Sequence, residues 1–422
     1  MSNILFQNAQ ILDARQSDPI EGHVLIEDDR IKEISTTPLQ TTSAQVIDLK
    51  GLYLMPGLID AHVHVKASSL DFAQMARTQP SYLFAGAAQI MKGMLNRGFT
   101  TVRDACGADR GLADAVDEGL LAGPRLKVCG LALSQTGGHS DTRSRNEWSA
   151  PAANEQYNAL HPFGRIADGV DECRRAARDE LRKGAHHVKI MAGGGVSSPS
   201  DPIENTQYCM DELEAICAEA AAWHTYAMAH TYTPDAISMA VRAGVRTVEH
   251  CNLIDKATAE LVAEKGAFHV PTNITYWALN KHGAEFGFPQ VSIDKLGMIV
   301  DAGLSSIEIS QAAGVQIGFG TDLLGPCHLY QAHEFALTAE VLGNKGALAT
   351  SLEVNPKIMG IPDIGRMEPG YIADVIVVRG NPMEDIHVLE SDGAQIPLVM
   401  QAGRIVKNQL HELAQSSASR KA

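Results

Sequence analysis

The sequence LIDAHVHV, residues 58–65, is apolar apart from one aspartate and two histidines that stand one residue apart. Its apolar residues predict a buried β-strand. Side chains at positions i and i+2 of a strand point to the same side, so His62 and His64 leave the backbone in one direction. Histidine is the commonest metal ligand and is rarely needed twice inside a dry strand. The stretch therefore indicates a metal site, and the alternative is a pair of buried histidines hydrogen-bonded to the backbone.

Seven further segments share this pattern, in which a short apolar run ends in polar residues or glycine. They are GFTTVRDA (98–105), RLKVCGLAL (125–133), HHVKIMAGGG (186–195), TYAMAHTYT (225–233), VRTVEHCNL (245–253), AFHVPTNIT (267–275) and VQIGFGTDLLG (315–325). Helical segments such as 169–185 and 211–224 lie between them. Strands that alternate with helices predict a parallel sheet, and eight of them predict an α/β protein with a (β/α)8 TIM barrel. In such barrels the active site lies at the C-terminal ends of the strands.

The two ends of the chain have a different pattern from its middle. Segments 4–14, 23–35 and 45–57 alternate apolar and polar residues, and segments 371–382 and 396–408 do the same. Neither end has enough strands for a stable sheet with a covered face. We therefore expect a small β-sandwich domain built from residues 1–55 plus 370–422, and a barrel domain at 56–369.

The amino-acid composition argues against some classes of binding partner. The 422 residues are 45% hydrophobic and 20% charged, as in an ordinary globular protein, and carry a formal net charge of −15. This charge argues against binding to nucleic acid or to an anionic membrane. No uninterrupted apolar stretch of about 18 residues predicts a membrane span. The seven cysteines form no CxxC motif and the N-terminal sequence does not resemble a signal peptide, so we expect reduced thiols and a cytoplasmic protein.

The polar residues at the predicted strand ends form one candidate site. Its members are His62, His64, Lys189, His230, His250 and Asp322. An isolated lysine in an apolar strand usually extends to the surface or forms a salt bridge. Beside four histidines, however, burial would lower the lysine pKa, and the neutral amine can add carbon dioxide to give a carbamate that bridges two metal ions. Taken singly, His230 and His250 could be core histidines and Asp322 could be a helix N-cap.

These positions carry a resemblance that covers nearly the whole chain. The sequence resembles the amidohydrolase superfamily with a binuclear metal centre, in PGLIDAHVHV (56–65), in the strand-end residues above and in IGRMEPGYIADVIVVRGNP (364–382). Within it, LSQTGGHSD (133–141), KIMAGGGVSSPSDP (189–202), AHTYT (229–233) and EHCNLID (249–255) resemble the prolidase-like group.

The resemblance implies metal-dependent hydrolysis of the amide bond of dipeptides or N-acyl amino acids, with release of the C-terminal residue. The group also includes enzymes that cleave the amide of ochratoxin. By this resemblance His62, His64 and Asp322 hold the more buried of two divalent ions, His230 and His250 hold the more exposed one, and a carboxylated Lys189 bridges them. Zinc is the first choice for imidazole and carboxylate ligands, and manganese or cobalt would fit the same donors. Asp322 would take a proton from the bridging water and pass it to the leaving amine.

Substrate recognition is assigned to two residues by the same resemblance. His139 and Tyr232 would contact the carbonyl or the α-carboxylate of the substrate, and their alternatives are a solvated loop histidine and a packing tyrosine. Strand-end segments 270–277 and 323–330 are mostly apolar or aromatic, which favours an apolar or proline residue as the leaving group. Segment 144–163 follows His139, contains no recognised motif and leaves the side-chain preference open.

Two other functions compete with this interpretation. Imidazolonepropionase-like enzymes or deaminases would keep the fold, but they typically use one metal and lack a lysine on strand four. A barrel that only binds a ligand is disfavoured because no ligand position is missing. We expect a small-molecule substrate and a symmetric homo-oligomer, for which the resembling group suggests an octamer.

Overall fold

The computed structural model describes residues 3–16, 18–41, 43–143, 163–198 and 201–410. Segment 144–163, which the sequence left open, lies outside the described residues except for its last residue, and so does the end of the chain from residue 411. Across the described ranges, no helix has both the length and the apolar character that crossing a membrane requires.

The strands are labelled in chain order. They are β1 Asn3–Ile11, β2 Ile20–Glu27, β3 Arg30–Ser35, β4 Gln45–Asp48, β5 Tyr53–Pro56, β6 Leu58–Val63, β7 Phe99–Asp104, β8 Arg125–Lys127, β9 Ala132–Ser134, β10 Gly164–Ile166, β11 Val188–Met191, β12 Ala227–Thr231, β13 Thr247–His250, β14 Phe268–Val270, β15 Gln316–Ile317, β16 Val375–Val378, β17 Leu398–Gln401 and β18 Arg404–Asn408.

The α-helices are α1 Phe72–Ala76, α2 Pro80–Asn96, α3 Arg110–Asp117, α4 Val170–Arg182, α5 Met210–Ala222, α6 Pro234–Ala243, α7 Lys256–Glu264, α8 Asn273–His282, α9 Gln290–Leu296, α10 Ala302–Ala312, α11 Glu334–Ala349 and α12 Asn355–Met359. Short 3-10 segments span Gly325–His333 and Ile386–Glu390, and a π-helical turn spans Thr350–Val354.

The two ends of the chain build one β-sheet domain, as expected. Strands β1 to β5 and β16 to β18 form a single eight-stranded sheet, in the order β18-β17-β16-β5-β1-β2-β3 with β4 paired to β1. The ends are joined where β16 pairs antiparallel with β5. Apolar side chains from both ends, such as Phe6, Leu54 and Val377, are 0% exposed in the core of this domain. The boundaries at residues 55 and 370 stay a prediction.

The middle of the chain forms the expected barrel. Strands β6, β7 and β8 are parallel neighbours, and β11 to β15 form a second parallel series extended by β9 and β10. The two series are joined at both edges. The N–H of Ala61 donates to Phe319 O at 2.8 Å, and the N–H of His186 donates to Val128 O at 2.7 Å. The eight strands β6, β7, β8, β11, β12, β13, β14 and β15 therefore close into a (β/α)8 barrel.

Local capping signals place neighbouring strand ends side by side. Helix α6 begins after Thr233, whose hydroxyl accepts from the N–H of Ala236 at 3.4 Å, and has proline at its first position. It ends at Gly244, whose φ of +102° is readily adopted by glycine. This short connection returns the chain to the start of β13, so that His230 and His250 lie at the ends of adjacent strands.

Candidate metal centre and active site

The sequence-predicted residues all line one pocket at the C-terminal ends of the barrel strands. They are His62, His64, His139, Lys189, His230, Tyr232, His250 and Asp322. The four histidines of the candidate metal centre and Lys189 are each at most 6% exposed, whereas the side chain of Asp322 is 19% exposed. The barrel therefore brings residues from five different strand ends to one place, with the carboxylate reaching toward the open side.

Three of these residues form a compact donor set. Asp322 Oδ1 lies 2.8 Å from His64 Nε2 and 3.4 Å from His62 Nε2. The ligand atoms of this trio all lie within 4.8 Å of one another. The backbone also holds Asp322 next to His62. Asp322 has a φ of +52°, and its N–H donates to His62 O at 2.8 Å. Two imidazole nitrogens and one carboxylate oxygen are suitable ligands for a divalent transition metal.

The electrostatics keep Asp322 available as a ligand. Burial by itself would raise the pKa of this carboxyl group, but the neighbouring His62 and His64 outweigh burial and hold the pKa well below its usual range. Burial would likewise lower the pKa of His64, whereas Cys106 and Asp322 raise it well above its ordinary value. The carboxylate is therefore ionised at neutral pH and attracts a positive charge.

The second pair of histidines is arranged differently. His230 Nε2 lies 3.0 Å from Gly194 O, and His250 Nδ1 lies 2.8 Å from Thr272 Oγ1. One nitrogen of each ring is thus engaged, His250 Nδ1 also lies 3.9 Å from Asp322 Oδ2, and the ring centroids are 4.7 Å apart. Burial lowers the pKa of both histidines well below the usual value, so both are neutral imidazoles, the form that binds a metal.

Lys189 lies inside the barrel on β11 and is 1% exposed. Burial lowers the pKa of its amine. A larger share of the side chain is therefore neutral at a given pH, and the neutral amine is the form that can add carbon dioxide.

The residues predicted to bind substrate lie beside these histidines, where Tyr232 is buried and His139 is partly buried. The ring of His139 stacks on His230 with centroids 4.2 Å apart and planes 10° apart, and its backbone N–H donates to Gln207 Oε1 at 3.0 Å. Burial lowers the pKa of His139 to about 3, so its ring is neutral. Position 195 requires glycine, because a Cβ there would collide with the His139 ring. These contacts hold His139 in place.

Tyr232 faces the same space from the end of β12. Its ring centroid is 5.0 Å from that of His230, and its hydroxyl lies 2.9 Å from the hydroxyl of Tyr276. Burial raises the pKa of Tyr232, so its hydroxyl keeps its proton and can donate it in a hydrogen bond. The sequence reasoning missed Tyr276, although it stands in the predicted strand-end segment 270–277.

A buried ion pair behind the pocket was also missed. Arg103 Nη2 lies 3.0 Å from Glu249 Oε1, and both side chains are 0% exposed. Glu249 Oε2 in turn lies 2.7 Å from His62 Nδ1. The available signal was a pair of charged residues in each of two predicted strand segments, Arg103 and Asp104 in GFTTVRDA and Arg246 and Glu249 in VRTVEHCNL.

The remaining wall of the pocket has an apolar part and a polar part. The apolar part includes Leu70, Phe72, Phe163, Met191, Leu279 and Leu324, and the polar part includes Asp71, Ser140, Asp141, Ser197 and Ser198. Phe72 and Phe163 pack edge to face with centroids 4.9 Å apart. Among the described lining residues, Lys189 is the only lysine and there is no arginine.

Comparisons with known proteins agree with this geometry. A family model described as the amidohydrolase family matches residues 53–406. The fold is similar to the crystal structure of an amidohydrolase, with a TM-score of 0.93 and 48% identity over 97% of this chain and 100% of that one. It is also similar to a prolidase complexed with N-methylphosphonate-L-proline, with a TM-score of 0.94 and 46% identity over 97% and 100% of the two chains. The curated ochratoxinase of Aspergillus niger is 34% identical over 372 residues, which are 84% of this chain and 75% of that protein.

Proposed function

The chain belongs to the amidohydrolase family and is a hydrolase that acts on carbon–nitrogen bonds, and we propose that it hydrolyses the amide bond of dipeptides or N-acyl amino acids. The residue released is the C-terminal one, with an apolar side chain or proline. The observation that carries this proposal is the convergence of His62, His64 and Asp322 beside two neutral histidines in one pocket. The similarity to a prolidase complexed with a proline phosphonate supports it.

The donor set fits two divalent cations, with zinc as the first choice. His62, His64 and Asp322 would hold one ion, and His230 and His250 would hold the other. A carboxylated Lys189 would supply the bridging oxygens between them. When bound, such cations polarise a carbonyl oxygen and make hydroxide available at neutral pH.

The residues of the chain have distinct parts in the reaction. Asp322 is ionised, so it can accept the proton of the attacking water and deliver it to the leaving amine. The protonated hydroxyl of Tyr232 and the neutral ring of His139 can bind the substrate carbonyl or α-carboxylate. The apolar wall excludes water from the scissile bond.

The same wall favours a leaving residue with an apolar side chain or proline. Its described residues offer no cation other than Lys189 at the metal centre, so an acidic side chain on the leaving residue would be desolvated without a partner. Apolar side chains and proline would bury their surface against residues such as Phe72 and Leu279. An ochratoxin amide is a further substrate to test, because the ochratoxinase of Aspergillus niger is a relative.

The test is a kinetic comparison of Ala-Pro, Ala-Phe, Ala-Leu, Ala-Arg and Ala-Asp with their C-terminal amides, using metal-loaded protein. We expect kcat/KM to be highest for the apolar or proline free acids and lowest for Ala-Asp. Equal rates for the amides and the free acids would show that the α-carboxylate is not recognised. A preference for Ala-Asp would contradict the apolar pocket.

Metal content separates this function from a deaminase-like one. We expect about two metal ions per chain, whereas the deaminase-like alternative typically uses one. Metal analysis of the purified protein gives the ratio directly. The proposal also includes a homo-oligomer, with an octamer as its expected size, and a monomer mass in light scattering at micromolar concentration would contradict that part.

A further inference from the structure

We infer that Glu249, oriented by Arg103, is a positioning residue that fixes the tautomer of His62 and directs the lone pair of its Nε2 into the metal centre. This inference rests on the proposed metal centre and goes beyond its ligand set.

The first step is the contact between the carboxylate and the ring. Glu249 Oε2 lies 2.7 Å from His62 Nδ1, and both side chains are at most 1% exposed. A carboxylate only accepts hydrogen bonds, so the proton of this pair sits on Nδ1. With that proton on Nδ1, the lone pair that a cation can use is on Nε2, the atom that lies 3.4 Å from Asp322 Oδ1. The carboxylate thus determines which nitrogen can bind a cation.

The second step is the support of the carboxylate by Arg103. Arg103 Nη2 donates to Glu249 Oε1 at 3.0 Å and to Oε2 at 3.3 Å, and its Nη1 donates to Thr247 Oγ1 at 3.2 Å. The Thr247 hydroxyl donates to the same Oε1. Arg103 Nε donates to the carbonyl of Ala61 at 2.6 Å, directly before His62 in the chain. One guanidinium therefore ties strands β6, β7 and β13 together around the His62 ring.

The third step is that this arrangement is specific to His62. Nδ1 of His64 lies 3.4 Å from the carbonyl of Cys106. The other two candidate ligands contact a carbonyl and a hydroxyl, at Gly194 and Thr272. Among the described contacts of the four histidines, only His62 has a carboxylate other than Asp322 within hydrogen-bond distance of a ring nitrogen. A carboxylate partner makes imidazole a more basic ligand, so the cation position next to His62 should be the tighter one.

The test is the isosteric substitution Glu249→Gln. Arg103 and Thr247 both donate to Oε1, so the amide oxygen should face them and the amide NH2 group should face His62. His62 Nδ1 must then accept, and the ring must carry its proton on Nε2, toward Asp322. We expect the affinity of one of the two cations to fall about 10–100-fold, with a changed absorption spectrum of the cobalt-substituted protein. Both are measured by cobalt titration against a chelator.

The matched control is Glu180→Gln. Glu180 is also buried, at 2% exposure, and pairs with an arginine, Arg165, at 3.2 Å, but it does not line the pocket. This variant should bind cobalt like the wild type, so a loss shared by both variants would point to general destabilisation and would contradict the positioning role.

The outcomes separate this inference from the proposed function. If wild-type protein binds no divalent cation, the proposed metal centre fails. If the wild type binds two and Glu249→Gln binds both with unchanged affinity and spectrum, the positioning role is overturned. Should the variant not fold, ¹⁵N NMR of metal-free wild type decides, with the His62 signal assigned from His62→Gln. A proton on Nδ1 supports the inference, and a ring that carries its proton on Nε2 alone refutes it.

Discussion

The pocket end of the barrel and the terminal β-sheet domain are buried to a similar extent but with opposite chemistry. The pocket places histidines, a lysine and an aspartate where water is scarce, and a buried ion pair lies behind them. The β-sheet domain buries side chains such as Phe6, Val24 and Leu54 at 0% exposure. Burying polar groups destabilises the folded protein unless the groups are paired, whereas burying apolar groups stabilises it. The comparison shows that stability and chemistry are assigned to different parts of one chain.

This difference predicts that substitutions in the two regions separate activity from stability. The largest effect is expected for Asp322→Asn, because the change removes both a proposed metal ligand and the proposed proton acceptor. We expect kcat/KM to fall about 10⁴-fold, at the upper end of the range for a general acid–base residue. The thermal midpoint of the metal-free protein should change little.

The matched control for Asp322→Asn is Asp109→Asn. Asp109 caps helix α3 by accepting from the N–H of Leu112 at 3.0 Å, and asparagine can cap a helix equally well. Its activity should stay within a few-fold of the wild type. Near-normal activity in Asp322→Asn would remove the main distinction between the two regions.

The next effect is expected for Lys189→Ala. The variant should lose at least one metal ion and about 10³-fold in activity, since the proposed bridging anion would supply several kcal/mol of metal-based stabilisation. Short carboxylic acids such as propionate should restore part of the activity by occupying the vacated space. Lys127→Ala is the control, because Lys127 is a partly buried strand lysine on β8 outside the pocket. Two metal ions and full activity in Lys189→Ala would exclude a bridging role.

The reverse behaviour is expected for Leu54→Ala in the β-sheet domain. Leu54 is 0% exposed and lies on β5, which joins the two ends of the chain. Truncation should reduce the free energy of unfolding by about 3 kcal/mol, with unchanged metal content and kcat under native conditions. Urea unfolding measures the free energy of unfolding, and metal analysis with kinetics measures the metal content and kcat. Val46→Ala on β4, where the side chain is 52% exposed, should stay within about 0.5 kcal/mol of the wild type.

The smallest effect concerns a buried charge beside the β-sheet domain. Asp13 is 1% exposed and accepts from Arg15 Nη2 at 2.9 Å and Nε at 3.0 Å. Burial would raise the pKa of Asp13, but the bonds from Arg15 outweigh burial and lower it. A lowered folded-state pKa stabilises the protein above the unfolded-state pKa of about 3.9, and that contribution is lost as the pH falls through the folded-state value.

Asp13→Asn should therefore cost about 1 kcal/mol of unfolding free energy at pH 7, and the difference from wild type should shrink below about pH 3. Chemical unfolding at several pH values measures this difference. Asp18→Asn, at an exposed position, is the control. A cost for Asp13→Asn that is the same at all pH values would assign the effect to packing and not to charge.

The sequence by itself determined the strand ends and their polar residues. Alternation and short apolar runs set which side chains share a face, so the HxH pair, Lys189 and the strand-end histidines could be located before the fold was known. The order of these motifs also indicated the family. Such signals are local, and each one depends only on a few neighbouring residues.

Only the tertiary structure decided which distant groups meet. Asp322 reaches His62 and His64 because the barrel closes between β6 and the segment after β15, and Arg103 reaches Glu249 because their strands face the same interior. Arg103 and Glu249 are 146 residues apart in the sequence, and His62 and Glu249 are 187 residues apart. Their geometry depends on strand order, register and closure of the whole barrel, which no local periodicity encodes. The nitrogen that each histidine offers to a ligand is therefore a property of the fold.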